Sequence, residues 1–287
     1  MCEEPLFCRF AQARQKPHGN LLIAGVLGSL DEKIELNRKK IAELEALAKA
    51  IYDYWFVQFD FPDKNGKPYK SSGGKMVWNE QLKREVPEGW VTRPLGEQIA
   101  SVKTGLNPRD NFVFGGSIKY ITVKNLRVDG TIDFSGCDHI DNNAYAKVHA
   151  RSNISQGDIL FASIAPLGRC HLIIEEPIGW DINESVFSIR PNYKETTSEY
   201  LFAFLRSPYF IAKAEQQATG SIFLGIRVAE LMRMSVLKPS QVAIQAFTDF
   251  AMSVYGQIAT LQHSVIEYTQ LRDTLLPLLM NGQVEVG

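Results

Sequence analysis

Apolar side chains recur in alternating steps of three and four residues from position 27 onward. The repeat continues for about four heptads, which is typical of a helix that packs in a coiled coil. Neither glycine nor proline interrupts residues 30–59, where Glu, Lys, Ala and Leu dominate. A polar residue at one seam position is the usual device that fixes coiled-coil register. The seam positions are Leu27, Leu30, Ile34, Asn37 (the polar one), Ile41, Leu44, Ala48, Ile51 and Trp55.

The residues near position 30 suit the first turn of this helix. Ser29 precedes Asp31 and Glu32, and a serine followed by acidic residues suits the first turn of a helix. A helix from this point to the end of the seam would be roughly 40 Å long, at about 1.5 Å per residue.

A second seam with the same alternation lies near the other end of the chain. Only Arg272 interrupts it, and the neighbouring Leu271 is expected to share that position. Pro239 precedes the helix and Pro277 is expected in its last turn. Two seams in one chain predict an antiparallel coiled coil, although each helix could instead cover a globular core. The second seam comprises Phe247, Ala251, Val254, Ile258, Leu261, Val265, Tyr268, Leu275 and Leu279.

The sequence between the seams has a different texture. Residues 60–84 are polar, carry six Lys/Arg against three Asp/Glu, and are interpreted as an exposed connector or hairpin. Residues 86–240 alternate short β-rich runs with turn residues, which predicts an α+β domain inserted between the two long helices. Strands are predicted at 118–123, 130–134, 158–164, 170–174 and 185–190, and helices at 198–207 and 208–218.

Composition limits the class of protein without identifying it. The 45% hydrophobic content supports a packed core, and the net charge of −1 gives no overall signal for nucleic-acid binding. The four cysteines form no C-x-x-C pair, which predicts reduced thiols and no metal site. No apolar run approaches the ~18 residues of a membrane span, and the N-terminus does not resemble a signal peptide. A cytoplasmic protein without membrane contact is expected.

Motifs for catalysis are missing from the sequence. No glycine-rich phosphate loop, nucleotide-binding fingerprint or nuclease carboxylate motif is present. Residues 107–110 (NPRD) resemble only superficially a motif that would hold an extruded adenine. We therefore predict a binding module with no catalytic residues and no cofactor.

Local charge is more informative than the total. Residues 101–128 contain five bases and a single acid, among several glycines, and such basic loops suit contact with DNA phosphates. Asn125 and Arg127 are residue types that pair with adenine and guanine edges respectively. Small residues around a glycine at 219–221 could present backbone N–H groups to a phosphate. The candidate DNA contacts are Lys103, Arg109, Lys119, Lys124, Asn125, Arg127, Arg151, Arg169, Thr219, Gly220, Ser221 and Arg227.

Several stretches together resemble the specificity subunits of type I restriction–modification systems. The match is ordered and covers about residues 26–282, and the aromatic run that ends the first helix is its most specific part. The matching stretches are 27–38 (LGSLDEKIELNR), 44–50 (LEALAKA), 55–61 (WFVQFDF), 86–90 (VPEGW), 95–97 (LGE), 120–126 (YITVKNL), 157–161 (GDILF), 218–221 (ATGS) and 275–282 (LLPLLMNG).

The resemblance implies a function and a set of partners. Such subunits hold two target recognition domains, each of which reads half of a split DNA site, separated by two conserved helices. The helices set the spacing and dock the methyltransferase subunits, which the restriction subunit joins. The implied partners are double-stranded DNA and these subunits. This chain has one recognition domain, so it is expected to be a half-size subunit that forms a homodimer, or the C-terminal half of a split one.

The expected boundaries follow from the same resemblance. They are a possible remnant of a preceding recognition domain at 1–25, the first helix at 26–59, a connector at 60–85, the recognition domain at 86–240, the second helix at 241–282 and a tail at 283–287. Two other classes remain open. One is an interaction scaffold or inactive gene fragment without DNA readout, and the other is an uncharacterised enzyme with its site in the central domain.

Overall fold

The structure is a computed structural model that describes residues 17–107, 114–218 and 225–280, and the side chains of 25–107, 115–218 and 225–279. The chain divides into two compact units. The first contains the described residues up to 43 and from 257, and the second contains residues 44–256. Both boundaries fall inside long helices, so the domain limits expected from the sequence stay a prediction.

Helices and strands alternate through the second unit, which confirms the predicted α+β class. The helices are α1 (Pro17–Tyr52), α2 (Asn142–Ser152), α3 (Ser198–Leu205), α4 (Pro208–Gln217), α5 (Val228–Arg233) and α6 (Gln241–Met280). The strands are β1 (Met76–Asn79), β2 (Arg84–Pro87), β3 (Val91–Pro94), β4 (Ile99–Thr104), β5 (Phe114–Ile121), β6 (Asp138–Ile140), β7 (Ile159–Ala162), β8 (Cys170–Leu172), β9 (Trp180–Ile182), β10 (Val186–Pro191) and β11 (Ser235–Lys238).

The predicted start of the first long helix is wrong. Helix α1 begins at Pro17 and spans 36 residues, about 54 Å at about 1.5 Å per residue. The Ser29 hydroxyl donates to the carbonyl of Val26 at 2.8 Å, so it bonds back inside the helix and caps nothing. At its other end α1 passes into a single π-helical turn, Asp53–Val57.

The two long helices pack together, as predicted. In the first unit, Asp31 of α1 lies beside Arg272 of α6, and Lys33 beside Tyr268, so the helices run antiparallel. Every predicted seam residue is buried or partly buried, in contrast to most of its neighbours along each helix. Buried are Leu30, Ile34, Ala48, Phe247, Ala251, Val254, Ile258 and Leu279, and partly buried are Leu27, Asn37, Ile41, Leu44, Ile51, Trp55, Leu261, Val265, Tyr268 and Leu275.

One detail of the second seam differs from the prediction. Leu271 is exposed, and Arg272 itself takes the seam position. The long aliphatic stem of an arginine can lie along an apolar surface while its guanidinium reaches solvent. Arg272 can therefore occupy the seam position itself. Pro277 lies in the last turn of α6, as predicted.

Among the described residues, the strands of the second unit form four small sheets. The largest has the order β4-β10-β7-β8 and is antiparallel, and β7 at its centre is buried along its whole length. A second sheet has the order β6-β5-β9, with β5 and β9 parallel. The pairs β1-β2 and β11-β3 complete the set, so the predicted polar connector contains a hairpin.

The predicted strands and helices of this unit are mostly present. Strands β5, β7, β8 and β10 and helices α3 and α4 lie where the sequence places them. Residues 130–134 are not a strand, because only Ile132 pairs there, in an isolated bridge with Leu126. Helix α2 was missed, although Asp141 caps its first turn by accepting from the backbone N–H of Ala144 at 2.7 Å.

An aromatic cluster joins the end of α1 to the rest of the second unit. Phe56 lies 4.9 Å from Tyr200 of α3 and 5.3 Å from Phe247 of α6, ring centre to ring centre. Tyr52 packs against all three of these rings, and Trp90 packs against Phe56. These five residues, the aromatic cluster, put both long helices and the inserted domain into one hydrophobic core.

Candidate nucleic-acid interface

The predicted basic region, residues 101–128, extends into residues 122–137, here called the β5–β6 loop. The loop opens with a 3₁₀ turn, Val123–Asn125, and then folds back on itself. The backbone N–H of Asp133 donates to Asn125 at 2.8 Å, and that of Arg127 donates to Thr131 at 2.9 Å. Gly130 has a φ of 85°, a backbone conformation that glycine adopts without strain and that closes the turn.

Apolar side chains fix the loop to the core. Leu126 is buried, and Ile132 and Phe134 pack against the same hydrophobic cluster, which includes Ile121 and Leu160. The charged side chains of Lys124, Arg127 and Asp129 are exposed on the loop. The loop is therefore an ordered structure with its charged residues at the surface.

Four of the predicted basic residues surround this loop. Lys124 is exposed on the 3₁₀ turn. Lys119 of β5 places its ammonium 4.8 Å from the centre of the Phe134 ring. Arg169, from the connection between β7 and β8, donates from Nη1 to the carbonyl of Val123 at 3.4 Å. Arg127 is the fourth, so three separate segments bring positive charge to one loop.

Arg127 is partly neutralised by an acid of the same loop. Its Nη2 donates to Asp133 Oδ2 at 2.8 Å. Hydrogen bonds from Ser135 and from Arg127 hold the pKa of Asp133 well below its usual value, so this carboxylate stays charged. Arg127 therefore adds less positive potential than its exposure suggests.

Asn125 does not fit the DNA contact predicted for it. It is buried, and its side-chain Oδ1 accepts from both the N–H and the hydroxyl of Thr122, at 2.9 and 3.0 Å. Its Nδ2 donates to the carbonyl of Asp133 at 3.1 Å. Because the amide is engaged at both ends inside the loop, Asn125 stabilises the loop and is not presented to a base edge.

The remaining candidates lie elsewhere. Lys103 is on β4, Arg151 is exposed in the last turn of α2, and Arg227 is exposed immediately before α5. The backbone N–H of Arg227 donates to Glu230 at 3.0 Å, which caps that short helix. Arg109, Thr219, Gly220 and Ser221 lie outside the described residues.

Two residues that sequence reasoning did not select hold the tip of the loop. Arg206 donates from Nη2 to the carbonyl of Val128 at 3.1 Å, and His171 bonds through Nδ1 to the carbonyl of Gly130 at 2.8 Å. Burial lowers the pKa of His171, which favours the neutral ring. The sequence marks neither residue, because each contact is formed across a long sequence separation.

Glu45 of α1 faces the same region. Burial raises the pKa of its carboxyl to about 7; the positive charge of Arg206 opposes this rise, and the negative charge of Asp129 adds to it. The carboxyl therefore changes its charge near neutral pH, close to the side chain that holds the loop.

The described residues contain no metal or membrane site. Among residues 17–107, 114–218 and 225–280, no group of three His, Cys, Asp or Glu is placed to hold a metal ion. In the same part of the chain, no helix is long and apolar enough to cross a membrane. Cys137 and Cys170 are buried free thiols, and burial raises the pKa of both.

Comparisons with known proteins agree on one family. The specificity subunit of the type I restriction enzyme MjaIX of Methanocaldococcus jannaschii is 23% identical over 272 residues, which is 94% of this chain and 60% of that protein. The specificity subunit of the type I enzyme HindI of Haemophilus influenzae is 23% identical, over 91% of this chain and 66% of that protein. No protein-family model matches.

A solved structure shares the fold. The S subunit of a type I restriction–modification system from M. genitalium superposes with a TM-score of 0.56 at 17% identity. The superposition covers 92% of this chain and 61% of that one. The chain thus spans less than two thirds of the length of each of these proteins. The resemblance to type I restriction–modification specificity subunits that the sequence indicated is thereby confirmed.

Proposed function

We propose that this chain is a non-catalytic, sequence-specific DNA-binding subunit of a type I restriction–modification complex. The observation that carries the proposal is the combination of two packed long helices with an α+β unit that presents an ordered loop with four basic side chains in it or beside it. The sequence similarity to a type I specificity subunit, which extends over 94% of the chain, supports the proposal. The chain reads one half-site of a split target, and partner subunits carry out methyl transfer and ATP-dependent cleavage.

The β5–β6 loop and its neighbours supply the DNA contacts. Lys119, Lys124 and Arg169 bind phosphates, and each phosphate neutralised makes the affinity fall more steeply with salt, by about 0.9 in the slope of log K against log salt. Arg127 is the residue suited to a guanine edge, at about 1–3 kcal/mol of discrimination for a bidentate contact. Lys103, Arg151 and Arg227, together with Arg109 and residues 219–221, remain predicted contacts.

The long helices serve the assembly. They dock the methyltransferase subunits, and the restriction subunit joins that complex. They also set the distance between half-sites, since one heptad spans about 10 Å. Two copies of the chain would read a symmetric, interrupted palindrome, whereas association with a different recognition domain would read an asymmetric site.

Methylome sequencing tests the proposal directly. A host that carries this chain with its cognate methyltransferase is compared with a host in which the gene is deleted. We expect a methylated split motif that disappears on deletion, and its symmetry tells a homodimer from a two-domain assembly. An unchanged methylome would contradict the proposal and favour an interaction scaffold or an inactive fragment.

A substitution in the β5–β6 loop tests whether this loop contacts the DNA. Lys124→Ala in the reconstituted complex should weaken DNA binding and reduce the salt slope by about one. Lys194→Ala, which removes an equally exposed lysine from the turn before α3, is the matched control and should leave both unchanged.

A further inference from the structure

The tip of the β5–β6 loop is held from outside the loop by two side chains. Its carbonyls at Val128 and Gly130 accept hydrogen bonds from Arg206, at the end of α3, and from His171 of β8. Carbonyls at the tip of a surface turn commonly face water. Here two residues that are far away in the sequence replace that water.

The contact between the tip and Arg206 is close. A Cβ added to Gly130 would lie 3.0 Å from Arg206 Nη1 and 3.3 Å from the Phe202 ring. The Arg206 guanidinium also lies 5.0 Å from the centre of that ring. The guanidinium is thus enclosed between the loop tip and an aromatic ring of α3, which restricts the movement of both.

The chemistry of the two donors suits a permanent tether. The guanidinium is charged at every physiological pH, and its hydrogen bond to a carbonyl is charge-assisted. A carbonyl can only accept, so the bond to Gly130 requires a proton on Nδ1 of His171, which the neutral ring can carry there. Both donors are directed at main-chain atoms of the loop, which leaves the side chains of the tip to be presented outward.

The side chain presented at the tip is apolar. Val128 is 73% exposed, whereas its own carbonyl is held by Arg206. Lys124 and Arg127 are exposed on the same loop. Asp129, which follows Val128, is also exposed, and its Oδ1 accepts from the N–H and the hydroxyl of Thr131. An exposed large apolar side chain on a fixed backbone suits contact with the methyl group of a thymine in the major groove.

From this geometry we infer that Val128 is a specificity-determining residue that contacts a base edge, and that Arg206 and His171 are positioning residues that fix its direction. The inference rests on the proposed function, because it needs DNA in contact with this loop. It goes further in two ways. It assigns the contact with a base edge to the loop tip, and it distinguishes the residue that contacts the base from the residues that hold the loop backbone in place. Lys119, Lys124 and Arg169 then supply affinity with little sequence preference.

The test uses the reconstituted complex of the full chain with its methyltransferase. Methylome sequencing first defines the motif, and competition binding then compares that site with sites changed at one base pair. Val128→Ala and Arg206→Gln should each lower the ratio of cognate to changed-site affinity about tenfold or more at one base pair, and leave the salt slope unchanged. Arg206→Lys, which keeps the charge but loses the planar fork, should restore part of the ratio.

The controls separate the possible failures. Lys194→Gln should alter neither the ratio nor the slope, and thermal denaturation checks that each variant is folded. If Arg206→Gln does not fold, Val128→Ala still decides, because removal of an exposed side chain disturbs no packing. A clear wild-type motif with an unchanged ratio in Val128→Ala would overturn this inference and leave the proposed function standing. Loss of any motif from the wild-type complex would instead overturn the proposed function.

Discussion

Arg272 Nη1 lies 2.9 Å from Asp31 Oδ1, and this ion pair joins α6 to α1 within the first unit. The same guanidinium contacts Asp273 at 2.8 Å through Nη2. Arg272 occupies a position that the heptad pattern reserves for an apolar residue. A polar residue in such a seam selects one register and one partner, at the expense of stability.

Replacement of this arginine should therefore stabilise the helix pair. We expect Arg272→Leu to raise the melting temperature by about 1–3 °C, because a leucine completes the apolar seam while an exposed ion pair contributes little. Circular dichroism on heating measures it. Arg38→Leu is the control, since Arg38 pairs only with Glu35 on the same helix among its described contacts and should give no rise. A fall for Arg272→Leu would show that the pair to Asp31 is worth more than surface pairs normally are.

The aromatic cluster should be the most sensitive part of the second unit. Phe247 is fully buried and contacts the rings of Tyr52, Phe56 and Tyr200. Phe247→Ala should lower the free energy of unfolding by about 3–5 kcal/mol, because it removes buried area and leaves a cavity. Val242→Ala on the same helix, where the side chain is 78% exposed, should change it by less than about 0.5 kcal/mol. Urea denaturation gives both values, and similar values for the two would contradict the cluster's role.

Substitutions at two adjacent residues of the β5–β6 loop should have different effects, one on stability and the other on DNA binding. Asn125→Ala leaves buried backbone groups without partners and should cost about 1–3 kcal/mol of stability. Lys124→Ala should leave stability unchanged and weaken DNA binding. Thermal denaturation and salt-dependent DNA binding measure the two effects. A stable Asn125→Ala variant with altered base preference would restore Asn125 as a reading residue.

Glu45 should make stability depend on pH near neutrality. Its folded pKa of about 7 lies above its ordinary value of 4.5, so the folded state holds the proton more tightly across this interval. Stability contributed by this group is present below pH 4.5 and is lost as pH rises towards 7 and above. Glu45→Gln should therefore raise the melting temperature at pH 8 but not at pH 4. Glu43→Gln is the control, because Glu43 lies two residues earlier on the same helix and is exposed. An equal effect of Glu45→Gln at both pH values would contradict the raised pKa.

The sequence predicted the long helices well and the small sheets incompletely. A strict seam needs only local spacing, so every seam residue from Leu30 to Leu275 is withdrawn from solvent. The start of α1 was misplaced because a serine is compatible with two positions. As an N-cap its oxygen accepts from a backbone N–H, whereas inside α1 the Ser29 hydroxyl donates to the carbonyl of Val26. Strands β6 and β9 have three residues each, and so short a segment cannot show a recognisable alternation of apolar and polar residues. Their pairing with β5 depends on contacts between distant segments.

The candidate interface was predicted only where the chain is locally continuous. Lys119, Lys124 and Arg127 lie close together in sequence and surround the same loop. The burial of Asn125 could not be predicted, because an asparagine that binds an adenine edge and an asparagine that stabilises a turn look the same in the sequence. Arg206 was missed for another reason: it reaches the loop across 78 positions, and no local motif records such a contact.

The aromatic cluster has a consequence for which segment of the chain could be exchanged between related genes. Exchange of residues 86–240 alone would place foreign rings against the resident Tyr52, Phe56 and Phe247, and a mismatched core would follow. Exchange of residues 44–256 would carry the whole cluster and break the chain only within heptads, where any junction that keeps the seven-residue spacing restores the seam. The cassette that recombination can move intact is therefore the compact unit with both its helical stems.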